Sequence, residues 1–241
     1  MLKPWLIGLL GSAQIVAGAQ AGELIFESRA SKVHLLELFT SEGCSSCPPA
    51  EAWMTQLKQS PGLWVDFVPI AFHVDYWDHL GWRDPFAAKE WTVRQQTYVK
   101  RWKTDSVYTP GFVLDGNECR TPQLPRKSQE LVGNLRLRVL GDDVFVTFEP
   151  TKKEARGYDI YLARLGFALT SEVNAGENRG RKLAHDFVVL SLQKATLPIN
   201  GNELKIPIDK AGDKNNGALV GWATYSGDPT PIQVTGGRWP L

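Results

Sequence analysis

The chain has 241 residues, 43% of them hydrophobic, with nine tryptophans and ten phenylalanines. It is therefore long enough to bury a substantial core in one large domain or two small ones. Its 27 basic and 26 acidic residues leave a formal net charge of +1. This balance, without a lysine-rich run, indicates neither a nucleic-acid partner nor binding to an anionic membrane surface.

The first 21 residues have the pattern of a secretory signal peptide. Lys3 precedes an apolar stretch from Trp5 to Leu10, and small residues follow as far as Ala21, which ends an A-x-A cleavage site. Glycine and polar residues dilute the stretch, which falls short of the ~20 apolar residues of a membrane span. We therefore expect a signal peptide at 1–21 and a periplasmic or secreted protein, in a compartment that permits disulfides.

Two cysteines, Cys44 and Cys47, stand between a predicted strand and a predicted helix. The strand is the apolar run 33–39, and the helix has apolar residues at i, i+3, i+4 and i+7 from Ala50. Two thiols at this spacing can close a small disulfide ring. The N-terminus of the helix would also stabilise a thiolate on the first cysteine. A zinc site is the other common use of C-x-x-C, but it normally needs two further Cys or His ligands at recognisable spacing.

Two prolines follow the second cysteine directly. Pro48 and Pro49 have no N–H to donate, so the helix either kinks there or begins later, near Cys47. If it begins later, a thiolate on Cys44 gains less from the helix dipole.

The next predicted elements are a strand, a helix and a hairpin. The β-rich run 63–74 ends close to His73, and Asp84 followed by Pro85 predicts the N-cap and first residue of a helix at 86–102. The strand 107–114 is interrupted by Pro110. The hairpin signal Asp115-Gly116 follows it.

From about residue 134 the pattern changes to short strands separated by turns, which indicates an antiparallel sandwich or sheet. The predicted strands lie at 135–140, 144–148, 158–169, 187–192, 204–208 and 218–225.

The order of strand, C-x-x-C, helix, strand, helix, X-Pro strand and hairpin resembles the thioredoxin fold. Several blocks more closely resemble the exported, thioredoxin-like family DUF1223; they lie at 38–51, 74–78, 80–86, 108–110 and 176–181. This resemblance implies an α/β thioredoxin-like domain at 30–125, followed by a β-rich, antiparallel sandwich-like domain at 134–241. The family label is one of unknown function, so the resemblance implies a fold and no particular reaction.

The same resemblance implies roles for three residues of the X-Pro strand. In thioredoxin-like proteins the proline that faces the active cysteines is cis, and the residue before it pairs with an extended substrate peptide. A cis bond before Pro110 and substrate binding by Tyr108, Thr109 and Pro110 are therefore expected.

Three functions follow from the cysteines. In thiol-disulfide exchange, Cys44 at the exposed end of the helix attacks and Cys47 resolves the mixed disulfide. The partners would be protein thiols or disulfides and an unidentified redox partner, and no cofactor is indicated. The second function is a copper-binding metallochaperone that uses Cys44, Cys47 and His73. The third is a non-catalytic interaction module in which the disulfide is a local structural bond.

Other polar residues have open roles. His73 is a proton shuttle, a metal ligand or a hydrogen-bonded histidine at a strand end. The block 176–181, with two glycines and two arginines, is either an anion clamp or a loop held by arginine contacts to the backbone. The odd cysteine, Cys119, is an intermolecular partner, a surface thiol or a small buried residue.

Overall fold

The computed structural model describes residues 22–121, 123–152, 154–197, 203–208 and 217–239. The predicted signal peptide at 1–21 lies outside these residues. None of the helices in the described ranges is long and apolar enough to cross a membrane.

The described chain contains fourteen strands, two α-helices and two short 3-10 helices. The helices are α1 (Cys47–Gln56) and α2 (Lys89–Trp102), with 3-10 turns at Leu57–Gln59 and Asp78–Leu80. The strands are β1 (Leu24–Glu27), β2 (His34–Thr40), β3 (Phe67–His73), β4 (Gly111–Leu114), β5 (Asn117–Cys119), β6 (Gly133–Leu140), β7 (Asp143–Pro150), β8 (Tyr158–Gly166), β9 (Leu169–Glu172), β10 (Lys182–His185), β11 (Val188–Leu197), β12 (Leu204–Pro207), β13 (Gly217–Tyr225) and β14 (Pro231–Trp239).

The largest sheet has eight strands in the order β14-β13-β8-β11-β3-β2-β4-β5. Strands β2 and β3 are parallel, with His34 opposite Phe67 and Thr40 opposite His73. Strand β11 joins β3 in parallel at a single pair, Val188 and Ala71. The remaining pairs are antiparallel. Strands from both expected ranges, 30–125 and 134–241, therefore share one mixed sheet.

The expected fold class, an α/β thioredoxin-like domain followed by a β-rich domain, is wrong. Only two α-helices accompany the fourteen strands of the described chain. The local pattern correctly indicated that strands and helices alternate early in the chain. It could not show that the free edge of β3 is occupied by β11, because hydrophobic periodicity identifies a strand and not its neighbour.

Buried side chains pack on both faces of the eight-stranded sheet, as the residues of β13 illustrate. Its residues Val220 and Trp222 belong to a core that includes Met54 of α1 and Tyr98 of α2. The alternate residue Leu219 belongs to a second core, which packs against the four-stranded antiparallel sheet β1-β6-β7-β12. Because side chains of a strand alternate between faces, one strand serves both cores.

The two helices lie on opposite faces of the large sheet. Trp53 of α1 packs on Phe112, which is paired with Leu38 of β2, whereas Tyr98 of α2 packs on Phe39, whose side chain points to the other face.

Two local predictions are confirmed and one is wrong. Helix α1 begins at Cys47, as its prolines suggested, and Asp115 and Gly116, both with positive φ, form the turn between β4 and β5. The N-cap of α2 is Ala88, not Asp84, and the helix begins at Lys89. Asp84 instead accepts the N–H of Phe86 at 2.9 Å, so Asp84 stabilises a turn that precedes the helix.

A partly buried histidine contact holds the β4–β5 hairpin to the start of β2 and predicts a pH dependence of stability. Nδ1 of His34 lies 2.6 Å from Oδ2 of Asp115, whose Oδ1 accepts the N–H of Leu35. The hydrogen bond to Asp115 raises the pKa of His34 above 6.5. A raised native pKa means that the native state binds the proton more tightly than the unfolded chain. Its stabilisation is therefore complete below about pH 6.5 and is lost as the pH rises through the native pKa.

We expect His34→Gln to lower the free energy of unfolding more at pH 5 than at pH 9. Urea unfolding of wild type and variant at each pH gives this difference directly, and titrating groups that do not interact with His34 cancel in it. A difference that is constant across the range would show that the His34 charge does not contribute.

Candidate functional site

The two motif cysteines form a disulfide at the start of α1. Cys44 and Cys47 are bonded, with 5.5 Å between their Cα atoms, and Cys47 is the first helical residue. Pro48 and Pro49 then lie in the first turn, where backbone N–H groups have no partner within the helix. The prolines therefore do not disturb the helix, but they remove two N–H groups that would stabilise a thiolate.

The disulfide is buried. Cys44 is 1% exposed and Cys47 is fully buried, whereas Ser45 and Ser46 between them are exposed. The expectation that Cys44 is the exposed end of the motif is therefore wrong. The two serines face solvent and the sulfur atoms face inward, so an attacking thiol must displace part of the loop.

The block 176–181, which we call the covering segment, holds this loop in place. Asn178, itself 1% exposed, donates two hydrogen bonds of 2.9 Å to the carbonyl oxygens of Glu42 and Cys44. The carboxylate of Glu177 accepts the N–H of Ser45 at 2.9 Å, and this hydrogen bond lowers the pKa of Glu177. Arg181 donates to Oδ1 of Asn178 at 2.8 Å. In the described part of the chain the segment therefore holds the loop through Asn178 and Glu177, and the guanidinium of Arg181 contacts a side chain rather than the backbone that one of the two predicted alternatives required.

Trp77 connects the cysteine loop to residues 108–110, which precede β4 and which we call the X-Pro segment. A Cβ atom on Gly43 would lie 2.7 Å from the Cβ of Trp77, so only glycine allows this approach. The indole N–H of Trp77 donates to Oγ1 of Thr109 at 2.8 Å. The Thr109–Pro110 bond is cis, as expected. Tyr108 is 39% exposed, and its carbonyl accepts a hydrogen bond from a side-chain amide of α2.

Five buried titratable side chains gather next to the disulfide, and we call them the acid-histidine cluster. They come from the loop after β2, from α1, from the end of β3, from the loop before α2 and from the end of β10. They are Glu42, Glu51, His73, Asp84 and His185.

His185 lies between two carboxylates. Its Nε2 is 2.9 Å from Oε1 of Glu42, and its Nδ1 contacts Oε2 of Glu51. Burial alone would lower the pKa of His185, but these two partners outweigh burial and raise it to about 10. Burial likewise disfavours the Glu51 carboxylate, yet the hydrogen bond from His185 leaves the pKa of Glu51 lowered. Each of these two carboxylates also accepts a hydrogen bond from a neutral donor. Thr40 donates to Glu51 at 2.5 Å, and Trp82 donates to Glu42 at 2.7 Å.

Only one of the two ring nitrogens of His73 has a hydrogen-bond partner among the described residues. Its Nδ1 lies 2.7 Å from Oδ2 of Asp84, and its buried Nε2 has no hydrogen-bond partner among the described residues. Asp84 also accepts the N–H of Glu42 at 2.8 Å. Burial would raise the pKa of Asp84, but His73 and the N–H donors lower it. The rings of His73 and His185 are 5.0 Å apart.

Sequence reasoning identified only part of this site. It singled out Cys44, Cys47 and His73. The structure joins the two cysteines in a disulfide, and it links His73 to the cysteine loop through Asp84, which accepts the N–H of Glu42. Asp84 was predicted as a helix N-cap and not as part of a site. Glu51 could have been found, because it follows Cys47 by four residues and so lies on the same helical face. The sequence carried no comparable signal for His185.

Cys119 is not part of the acid-histidine cluster. It is free and half-buried, and its thiol donates to the carbonyl oxygen of Thr121 at 3.1 Å.

The fold and the site define a β-rich protein with a buried C-x-x-C disulfide beside an acid-histidine cluster. Residues 35–223 match the family described as "Protein of unknown function (DUF1223)", and the chain belongs to this family. No curated protein matches the chain.

Two solved structures are similar in fold. Protein AGR_C_4864 from Agrobacterium tumefaciens is 23% identical, with a TM-score of 0.60, over 88% of this chain and 95% of that one. HBP35 of Porphyromonas gingivalis is 12% identical, with a TM-score of 0.57, over 89% of this chain and 76% of that one. At these identities the likeness concerns the fold alone.

Proposed function

We propose that the protein is an exported thiol-disulfide oxidoreductase that uses the Cys44–Cys47 pair on protein substrates. The observation that supports this proposal most directly is the closed disulfide at the start of α1, in a loop and helix that also supply Glu42 and Glu51 to the acid-histidine cluster. Shifted pKa values of buried groups concentrate at functional sites. In this cluster the effect of burial on His185 is outweighed by its partners, which raise its pKa to about 10, and the pKa values of Glu51 and Asp84 are lowered.

A purely structural role explains the disulfide less well. The bond joins residues only three positions apart, so it removes little conformational freedom from the unfolded chain and stabilises the fold little. Nor does a local structural bond require five buried titratable side chains beside it, each of which costs desolvation.

The proposed reaction is a two-electron exchange. A substrate thiolate attacks Sγ of Cys44, forms a mixed disulfide and releases Cys47 as a thiolate. A second substrate thiolate then attacks the substrate sulfur of the mixed disulfide and releases Cys44. The substrate leaves oxidised to a disulfide, and the protein is left as a dithiol that the redox partner reoxidises. In reverse, the same steps reduce a substrate disulfide.

Substrate binding is proposed along the X-Pro segment that precedes β4. Tyr108 presents an exposed ring, and Thr109 is joined through Trp77 to the residue before Cys44. A peptide that lies against Tyr108, Thr109 and Pro110 would therefore reach the cysteine loop. His73 is the proposed proton shuttle of the cluster.

A mixed-disulfide trap tests the proposal, with Cys119→Ala as the background so that adducts on the free cysteine do not interfere. In this background we expect Cys47→Ala to accumulate disulfide adducts with substrate proteins, because Cys44 can attack but no thiol resolves the adduct. The matched Cys44→Ala variant should form far fewer. Cys119→Ala alone should retain the wild-type rate of insulin reduction.

Equilibration with glutathione gives the second readout. We expect the Cys44–Cys47 pair to exchange within the range of known oxidoreductases. A potential below about −300 mV, which is typical of structural disulfides, together with no adducts in the trap, would assign the disulfide a structural role instead.

A further inference from the structure

The acid-histidine cluster holds three potential metal ligands whose arrangement the redox proposal does not explain. Glu51, His73 and His185 each offer a donor atom, all three are buried, and these donor atoms lie within 4.8 Å of one another. From these contacts we infer that Glu51, His73 and His185 form a binding site for one divalent transition-metal cation, with Zn²⁺ as the representative ion.

The unused nitrogen of His73 is the first argument. A buried ring nitrogen without a partner costs free energy, and Nε2 of His73 is such an atom in the described chain. The opposite nitrogen, Nδ1, is held by Asp84 at 2.7 Å. A carboxylate on one nitrogen fixes the tautomer that leaves a lone pair on the other, which is the usual outer shell of a metal-binding histidine.

His185 has the matching arrangement. Its Nε2 contacts Glu42, and its Nδ1 contacts Glu51. A cation between Nδ1 and the Glu51 carboxylate would replace the proton that these two groups share, while Glu42 stays as the outer carboxylate. Each histidine would then bind the cation through one ring nitrogen and contact a carboxylate through the other. That carboxylate is Asp84 for His73 and Glu42 for His185.

The composition of the cluster also suits a cation. Three carboxyl groups, on Glu42, Glu51 and Asp84, face two imidazoles. Within the described residues, the other hydrogen-bond donors to these carboxyls are neutral: a hydroxyl, an indole N–H and two backbone N–H groups. The carboxyl groups therefore outnumber the cationic partners in the cluster, and a bound cation would be surrounded by acidic groups.

The donor set also selects the class of ion. Two imidazole nitrogens and one carboxylate oxygen suit borderline cations such as Zn²⁺ rather than Mg²⁺ or Ca²⁺. Donors ~2.1 Å from a tetrahedral ion are about 3.4 Å apart, so closure of this site requires side-chain shifts on the order of 1 Å.

Metal titration of the full, untagged protein with its disulfide intact tests the site. After chelator treatment, we expect calorimetry to show one equivalent of Zn²⁺ bound and thermal denaturation to show a raised midpoint with Zn²⁺. With Co²⁺ as the probe, we expect d–d absorption and no thiolate charge-transfer band. Absence of Zn²⁺ binding, or a thiolate band, would overturn the inference.

Variants locate the ion. We expect Asp84→Asn to weaken Zn²⁺ binding by about 10- to 100-fold, as for other outer carboxylates, and His73→Gln and Glu51→Gln to weaken it further. His34→Gln, the same change at a histidine outside the cluster, should bind as wild type does. Equal binding by His73→Gln and His34→Gln would refute the assignment. If the cluster variants do not fold, the wild-type titration and Co²⁺ spectrum still decide.

This site does not depend on thiol chemistry. The Cys44→Ser/Cys47→Ser variant should retain Zn²⁺ binding while it loses disulfide exchange, so the two proposals can fail separately.

Discussion

Arg94→Met is expected to lower the free energy of unfolding by about 3–5 kcal/mol, because it leaves a buried carboxylate without its cation. Arg94 of α2 donates to Glu37 of β2 at 2.6 Å and to the hydroxyl of Tyr98 at 2.9 Å. Tyr98 in turn donates to Glu37 at 2.5 Å. Burial alone would lower the pKa of Arg94, but the Glu37 carboxylate outweighs it and the pKa is raised.

Contacts between Arg94 and aromatic rings add to the expected loss of stability. The guanidinium carbon of Arg94 lies 5.1–5.5 Å from the centroids of four rings, which come from β3, α2, β8 and β13. The side chain therefore joins early and late strands of the sheet to the helix. Methionine keeps part of the packing volume but loses the charge and the cation-π contacts.

Arg101 of the same helix provides the matched control. It pairs with Asp228 at 2.7 Å, but its side chain is 41% exposed, and exposed pairs contribute about 0–1 kcal/mol. Urea unfolding should therefore separate Arg94→Met clearly from Arg101→Met. In the double variant Arg94→Met/Glu37→Leu, we expect a smaller loss than the sum of the single changes, since neither charge is left alone. Similar losses for the Arg94 and Arg101 variants would contradict this account.

The sequence predicted the local parts of the fold because local chemistry determines them. Adjacent prolines limit where α1 can begin, and Asp115-Gly116 determines a hairpin turn. The pairing of β3 with β11 depends instead on Val188, far along the chain from Ala71. No local pattern encodes that choice of neighbour, and the predicted fold class failed at this point.

The same limit applies to the candidate site. The motif itself was visible in the sequence, but its partners are supplied by residues 134 to 143 positions away from the cysteine loop. His185 reaches Glu51 because β10 packs against α1, and Asn178 reaches Cys44 from the loop before β10. The local sequence indicated an exposed Cys44 because it carries no sign of the distant segment that holds the cysteine loop in place.

Asn178→Ala is expected to accelerate reduction of the Cys44–Cys47 disulfide by a small thiol by about 5- to 150-fold. The side-chain amide of Asn178 donates to the carbonyl oxygens of Glu42 and Cys44. Without it, the buried carbonyl of Glu42 loses its donor, whereas that of Cys44 retains the N–H of Cys47. The loss costs about 1–3 kcal/mol in the closed state. Because Cys44 is 1% exposed, attack requires the loop to open, and a destabilised closed state opens more often. Each ~1.4 kcal/mol then corresponds to a tenfold change in rate.

Asn134→Ala is the matched control, since Asn134 also donates its amide to a carbonyl, that of Ser28, at 2.9 Å and away from the cysteines. Stopped-flow reduction by dithiothreitol should show a faster rate for Asn178→Ala only, whereas urea unfolding should show that both variants remain folded. Equal reduction rates in the two variants would mean that the thiol reaches the disulfide without movement of the covering segment. A faster rate confined to Asn178→Ala would identify this segment as the element that controls access to the Cys44–Cys47 disulfide. It would also give the proposed exchange a route to a buried disulfide, because a substrate that displaced Glu177 and Asn178 would open the loop as it bound.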